Sequence, residues 1–111
     1  MKAYTDLEQS KKLAEILPLE SADMCYIEDK PNIGFLYKEY KEFGDTILQN
    51  YYPCWSLAAL LKLFDDKAGI AKEYGTWFAY DNGKSHCTKH YDNPIDSAFD
   101  MIIKLHDLNL L

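Results

Sequence analysis

The chain has 111 residues and a mass of 12.9 kDa, the size of a single domain. Its formal charge is −6, from 18 acidic residues against 12 basic ones, and every base is lysine. Arginine is the side chain best shaped to fork onto phosphates and base edges, so an acidic chain without it is a poor binder of nucleic acid or phosphate.

The first element is predicted at Thr5-Asp6-Leu7-Glu8, with Thr5 as the helix cap and Glu8 reaching back to it. Leu7, Leu13, Ala14, Ile16 and Leu17 recur at helical spacing, with Ser10 interrupting the face. Pro18 ends this helix and pushes Leu17 out of the α region. Residues 21–23 read as a turn, and Met24-Cys25-Tyr26-Ile27 as a short strand. Residues 28–32, with Pro31, read as a five-residue turn before a returning strand at 33–37. Residues 38–50 read as a short helix carrying Tyr40, Phe43, Ile47 and Leu48, weakened at Gly44.

Ser56 is predicted to cap the next helix, with Trp55 and Leu60 at hydrophobic-staple spacing. Leu57, Leu60, Leu61 and Phe64 form its stripe, and Ala58, Ala59 and Leu63 make the other face weakly apolar. This helix is expected to be the most buried element. Residues 67–73 read as a connection, and 74–80 as an aromatic strand. Asp81-Asn82-Gly83 is the strongest hairpin signal, which makes 85–91 the partner strand. The last helix starts with Asn93 as cap, Pro94 first and Asp96 third. Ile95, Ala98, Phe99, Ile102, Leu105 and His106 line one side of it. Leu108, Leu110 and Leu111 form an apolar end that needs cover. The fold class expected is α+β: three to four helices on a small, mostly antiparallel sheet built from hairpins, in one domain over 1–111.

Met1 to Asp6 carries no apolar stretch behind a basic one, and no run approaches about 18 apolar residues. Neither a secretion signal nor a membrane span is expected. The cysteines Cys25, Cys54 and Cys87 are odd in number and widely spaced, which is no disulfide framework. A reduced cytoplasmic setting follows.

Three segments carry a resemblance. They are Ile16-Leu17-Pro18-Leu19-Glu20-Ser21-Ala22-Asp23-Met24, then Pro53-Cys54-Trp55-Ser56-Leu57-Ala58-Ala59-Leu60-Leu61, then Asp92 to Ala98 leading into Met101-Ile102-Ile103-Lys104-Leu105-His106. Together they resemble a group of small hypothetical proteins from gut Bacteroides and its relatives, often in phage or mobile-element contexts. The resemblance implies a bacterial or prophage origin and an intact single-domain unit. It assigns no residue a role.

The densest set of ligand-type side chains is His86-Cys87-Thr88-Lys89-His90. On a regular strand His86 and His90 share a face and Cys87 points the other way. Zinc would need Cys54 or Cys25 brought close, since no CxxC pair anchors a site. Cysteine–histidine catalysis would need an oriented imidazole within reach of a thiol. Cys54 lies just before a helix start, where a thiol pKa can fall, but Trp55 and the leucines argue for burial. The acidic pairs Asp65/Asp66 and Glu28/Asp29 lack metal-loop spacing. Asp92 and Asp96 serve a helix N-terminus, and His106 is read as a partly buried histidine. No cofactor is expected.

The aromatic residues are 14% of the chain, nine of them tyrosine. Tyr51, Tyr52, Trp77, Tyr80 and Tyr91, with Trp55 and Phe78, are the candidate contact surface, because aromatics dominate interface energetics. The leading expectation is a non-enzymatic accessory or protein-binding domain, with an unidentified protein or a second copy as partner. The alternative is a small enzyme or ligand-binding domain using His86, Cys87 and His90. An acidic mimic of nucleic acid is a third reading, opposed by the intermingled lysines.

Overall fold

The computed structural model describes residues 2–27, 30–32, 51–83 and 86–111. The helix expected at 38–50 and the strand expected at 33–37 lie outside them. The described residues form an α+β fold of three α-helices, one short 3-10 helix and five strands. They are α1 (Leu7–Ile16), the 3-10 turn Leu19–Ser21, β1 (Met24–Ile27), β2 (Lys30–Asn32), β3 (Tyr51–Cys54), α2 (Leu57–Phe64), β4 (Ala68–Glu73), β5 (Thr76–Asp81) and α3 (Pro94–Asp107). The chain divides into two compact units, one of Tyr4–Ala59 and one of Met1–Ala3 with Leu60–Leu111.

In the Tyr4–Ala59 unit a three-stranded antiparallel sheet runs β2-β1-β3. Lys30–Asn32, expected as turn, is a strand, and Ile27 pairs with Lys30. Its register continues β1 directly, so the connection is shorter than five residues. The core gathers on Met24, Tyr26 and Cys54, with Tyr4, Leu7 and Tyr52 packed against it.

The cap of α1 is Asp6, not Thr5. Asp6 Oδ1 accepts from Gln9 N at 2.8 Å, and Asp6 N donates to Gln9 Oε1 at 3.1 Å, a complete capping box. Thr5 is fully buried and otherwise engaged. Its amide donates to Trp55 O at 2.9 Å, and its hydroxyl accepts from Trp55 N at 3.1 Å and bonds Ser10 Oγ at 2.7 Å. Ser10, which interrupts the apolar face in sequence, is fully buried there as Thr5's partner. Leu17 is extended before Pro18 and ends the helix as expected.

Ser56 Oγ accepts from Ala59 N at 3.2 Å, the predicted cap of α2. Asp23 braces it, accepting from Ser56 N at 2.9 Å and from Ser56 Oγ. A carboxylate at that end also suits the helix dipole. In α2, Leu60 and Phe64 are buried but Ala58, Leu61 and Lys62 are exposed. The most buried helix is instead α3, through Pro94, Ile95, Ser97, Ala98, Met101, Ile102 and Leu105. Met101 takes the place expected of His106, which is exposed.

In the second unit, residues 68–73, read from sequence as a connection, are strand β4. It pairs antiparallel with β5 from Ala68↔Asp81 to Glu73↔Thr76. The hairpin therefore turns at Tyr74-Gly75, with φ of 53° and 80°, the two positive angles of a type I′ turn. Gly69 lies beneath its cross-strand neighbour: a Cβ there would meet Tyr80 Oη at 2.9 Å. Asn82 and Gly83 also turn the chain, but toward a less regular partner described below. Helix α3 starts at Asn93, whose Oδ1 accepts from Asp96 N at 2.9 Å. It ends in a Schellman motif: Asn109 is left-handed at φ 57°, Leu110 N donates to Leu105 O at 2.8 Å, and Asn109 N to His106 O at 3.0 Å.

Candidate functional site

Residues 86–91 lie along the flank of β5 away from β4. Asp81 N donates to His86 O at 3.1 Å and Thr88 N to Ala79 O at 2.9 Å, while Trp77 and Tyr91 exchange both bonds at 2.7 Å. The bridges Tyr80↔Cys87 and Trp77↔Tyr91 differ by one residue in register. Two residues, Lys89 and His90, thus stand opposite Phe78, which is a β-bulge. At the bulge Ala79 N bonds the Thr88 hydroxyl at 2.9 Å instead of a carbonyl.

That extra residue reverses the alternation of side chains. His86 joins the face of Asp81, and its Nδ1 bonds Asp81 Oδ2 at 2.7 Å. His90 joins the face of Thr76 and Phe78. Its Nδ1 bonds Thr76 Oγ1 at 2.8 Å, and its ring lies 4.9 Å from that of Phe78. The two histidines, expected on one face, are on opposite faces. Cys87 pairs with Tyr80 and shares His90's face instead of opposing it. Among the described residues no group of three His, Cys, Asp or Glu side chains is placed to hold a metal ion.

Asp81 is only 8% exposed, and it borders a cavity of about 370 Å³ with Lys67, Gly83, Leu105 and Leu110. A buried carboxylate on an imidazole is the orienting half of a nucleophilic triad. The adjacent thiol, Cys87, is across the strand from it. Cys25 and Cys54 are buried in the other unit. Burial, then the nearby Cys54 sulfur, pushes the Cys25 thiol up to about 11. Burial likewise raises Cys54, against hydrogen bonds from Thr5 and Ser10 that lower it. Both are held as neutral thiols, the unreactive form.

The aromatic candidates are distributed over both units. Tyr52 packs on the Met24–Tyr26–Cys54 core, with Lys11 Nζ 5.1 Å from its ring centre. Tyr51 is in β3, and its side chain lies outside the described set. Trp77 and Tyr91 share the face that bears Ala79. Lys72 Nζ lies 5.5 Å from the Trp77 ring centre, and Lys89 Nζ lies 5.5 Å from that of Tyr91. Tyr91 Oη donates to Asp100 Oδ2 at 2.9 Å, and burial first, then this carboxylate, pushes its pKa up to about 12. Tyr80 is on the opposite face, 6.2 Å from Phe78.

The aromatic residue that sequence reasoning missed is Tyr74. It is 95% exposed at the hairpin tip, in the left-handed region. Asn, Asp or Gly is the usual choice at that position, and a bulky residue there is a conformational outlier. The missed signal was Tyr74-Gly75 between two six-residue strands, hidden because residues 67–73 carry little β-branching. No helix among the described residues is long and apolar enough to cross a membrane. Comparison with models of known protein families, with curated proteins and with solved structures finds no match to any of them.

Proposed function

We propose that the chain is a non-enzymatic protein-binding domain whose contact is centred on the tip of the β4–β5 hairpin. The observation that carries this is Tyr74, an almost wholly exposed aromatic held at φ 53°. A tyrosine in that conformation costs about 1–2 kcal/mol of local backbone energy, and its ring recovers none of it by packing inside the fold. A ring presented this way is preorganised for a partner's pocket, where tyrosine is a frequent anchor. Origin in a phage or mobile element of a gut bacterium rests on the three resembling segments alone.

The test is quantitative capture from lysate of the source organism, with the wild type, Tyr74→Asn and Tyr74→Ala as baits. The expected result is a stoichiometric partner retained by the wild type and lost from both variants, all three being folded by circular dichroism. Identical retention by the three baits refutes the reading.

The Asp81–His86 pair beside the cavity favours one alternative, a small-ligand site. Its test is thermal shift against a metabolite panel, with a stabilising compound whose effect His86→Ala abolishes.

A further inference from the structure

Among the described residues the hairpin has one paired flank and one open flank. Trp77, Ala79 and Asp81 use their backbone groups toward residues 86–91, away from β4. In an antiparallel pair, a residue's N–H and C=O point to the same side. The cross-strand partners Lys72, Ile70 and Ala68 therefore aim theirs away from β5. Among the described residues nothing pairs with that outer row. The strand is six residues long, with small side chains at Ala68, Gly69 and Ala71. A lysine often guards such an edge. Here the Lys72 ammonium is drawn back over Trp77 of the same hairpin.

We propose that the open edge of β4 pairs antiparallel with β4 of a second copy of this chain, about a two-fold axis at Ile70. The pairing is self-complementary in register. With Ile70 opposite itself, Ala68 meets Lys72 of the other copy. Every outward group then finds a partner, giving about six main-chain hydrogen bonds. It is also self-complementary in charge. Lys67 continues the ladder, its carbonyl accepting from Asn82 N at 2.8 Å. In this register Lys67 stands opposite Glu73 of the other copy, and the symmetry makes the contact twice. Sliding by two residues one way sets Asp65 opposite Glu73 beside Asp66 opposite Lys72, so a like-charge pair offsets the attractive one, and the other way sets Gly69 opposite Glu73; only the central register joins opposite charges with no like-charge pair. A sheet of four strands, β5-β4-β4-β5, results. The two readings fail separately: Ile70→Pro removes an edge bond and leaves Tyr74 in place, and Tyr74→Asn leaves the main-chain edge in place.

Sedimentation equilibrium of the full chain tests the proposal, with Ile70→Pro, K67E and the double variant K67E/E73K. Proline at 70 deletes an outward N–H and no bond to β5. The wild type is expected to dimerise below millimolar concentration, and Ile70→Pro to be monomeric. K67E should weaken the dimer about five- to tenfold by placing like charges opposite each other, and K67E/E73K should restore it. Should Ile70→Pro fail to fold, the charge exchange alone decides. A wild type monomeric at millimolar concentration overturns the proposal. So does a dimer indifferent to K67E, or a monomer whose β4 edge instead binds extended peptides of other proteins.

Discussion

Thr5 joins the start of the chain to the end of β3, and Thr5→Val isolates the hydroxyl's share of that joint. Valine keeps the shape and removes the oxygen. The Trp55 amide then loses its partner in a fully buried site, while the Ser10 hydroxyl loses Thr5 but keeps Cys54. A buried polar group left unpaired costs about 1–3 kcal/mol. The expected loss is therefore about 1–3 kcal/mol, a sizeable part of the roughly 5–15 kcal/mol that holds a domain together. The lower end applies if Ser10 turns its hydroxyl onto the carbonyl of Asp6, one helical turn back. Thr5→Ser is the control, because it keeps the oxygen and loses one methyl, about 1 kcal/mol. Urea unfolding followed by tryptophan fluorescence gives both numbers. If Thr5→Val proves no worse than Thr5→Ser, the buried hydroxyl is not the joint argued here. Had Thr5 been a cap, Asp or Asn would replace it well. Either should now be strongly destabilising, because it brings a larger polar group into that site.

Other outcomes follow from single features. Tyr74→Asn relieves the left-handed backbone without removing a contact, so it should raise stability by about 0.5–1 kcal/mol in the same urea assay. A loss of stability would show that the ring packs. Asn93→Ala should destabilise by about 1–2 kcal/mol; Asn93 Nδ2 also bridges Asp92 and Asp96 at 2.8 and 2.9 Å, and an unchanged midpoint would contradict its role. Under native conditions a thiol reagent should modify Cys87 quickly and spare Cys25 and Cys54 until unfolding; fast modification of all three would contradict their burial. Stability should fall as pH rises above about 9. An unfolded thiol ionises near 9, whereas native Cys25 holds its proton to about 11, so between them the unfolded state binds fewer protons. Tyr91 adds the same sign between 10 and about 12. For one group the slope is at most about 1.4 kcal/mol per pH unit, and a midpoint that rises with pH would contradict it.

The helices were legible because their signals are local. Asn93-Pro94, Ser56 and Pro18 each act within one turn of chain, and each sits where it was read. Thr5 failed for a reason of the opposite kind. Thr5-Asp6-Leu7-Glu8 and Asp6-Leu7-Glu8-Gln9 are both acceptable capping sequences. What decides between them is Trp55, fifty residues away, which takes up Thr5. Asp23 bracing Ser56 is invisible for the same reason. The strand β4 was missed because Ala-Gly-Ile-Ala-Lys-Glu has weak strand propensity. It is a strand because β5 pairs with it through its whole length and α3 covers one face.

A single inserted residue decides which faces the two histidines take. Alternation along 86–90 would place both histidines on one face, and the bulge opposite Phe78 sends them to opposite faces. Nothing in a sequence of polar residues announces a bulge, since its cause is a competition for one amide. Thr88 offers a hydroxyl to Ala79 N at 2.9 Å, in place of the carbonyl a regular partner would present. Its own hydroxyl proton goes to Lys89 O at 2.8 Å. Thr88 is buried, so these bonds are made away from water, where leaving them unmade would be costly. The bulge is therefore held by a side chain, and Thr88→Val should remove what holds it. The ladder would then be free to reset to an even register, carrying His86 to the face of His90. A nuclear Overhauser contact between the His86 imidazole and the Tyr80 ring in Thr88→Val, absent in the wild type, is the expected sign, since His86 then shares a face with Tyr80. If His86 stays on Asp81, the bulge is set by the tight connection at Asn82-Gly83 and not by Thr88.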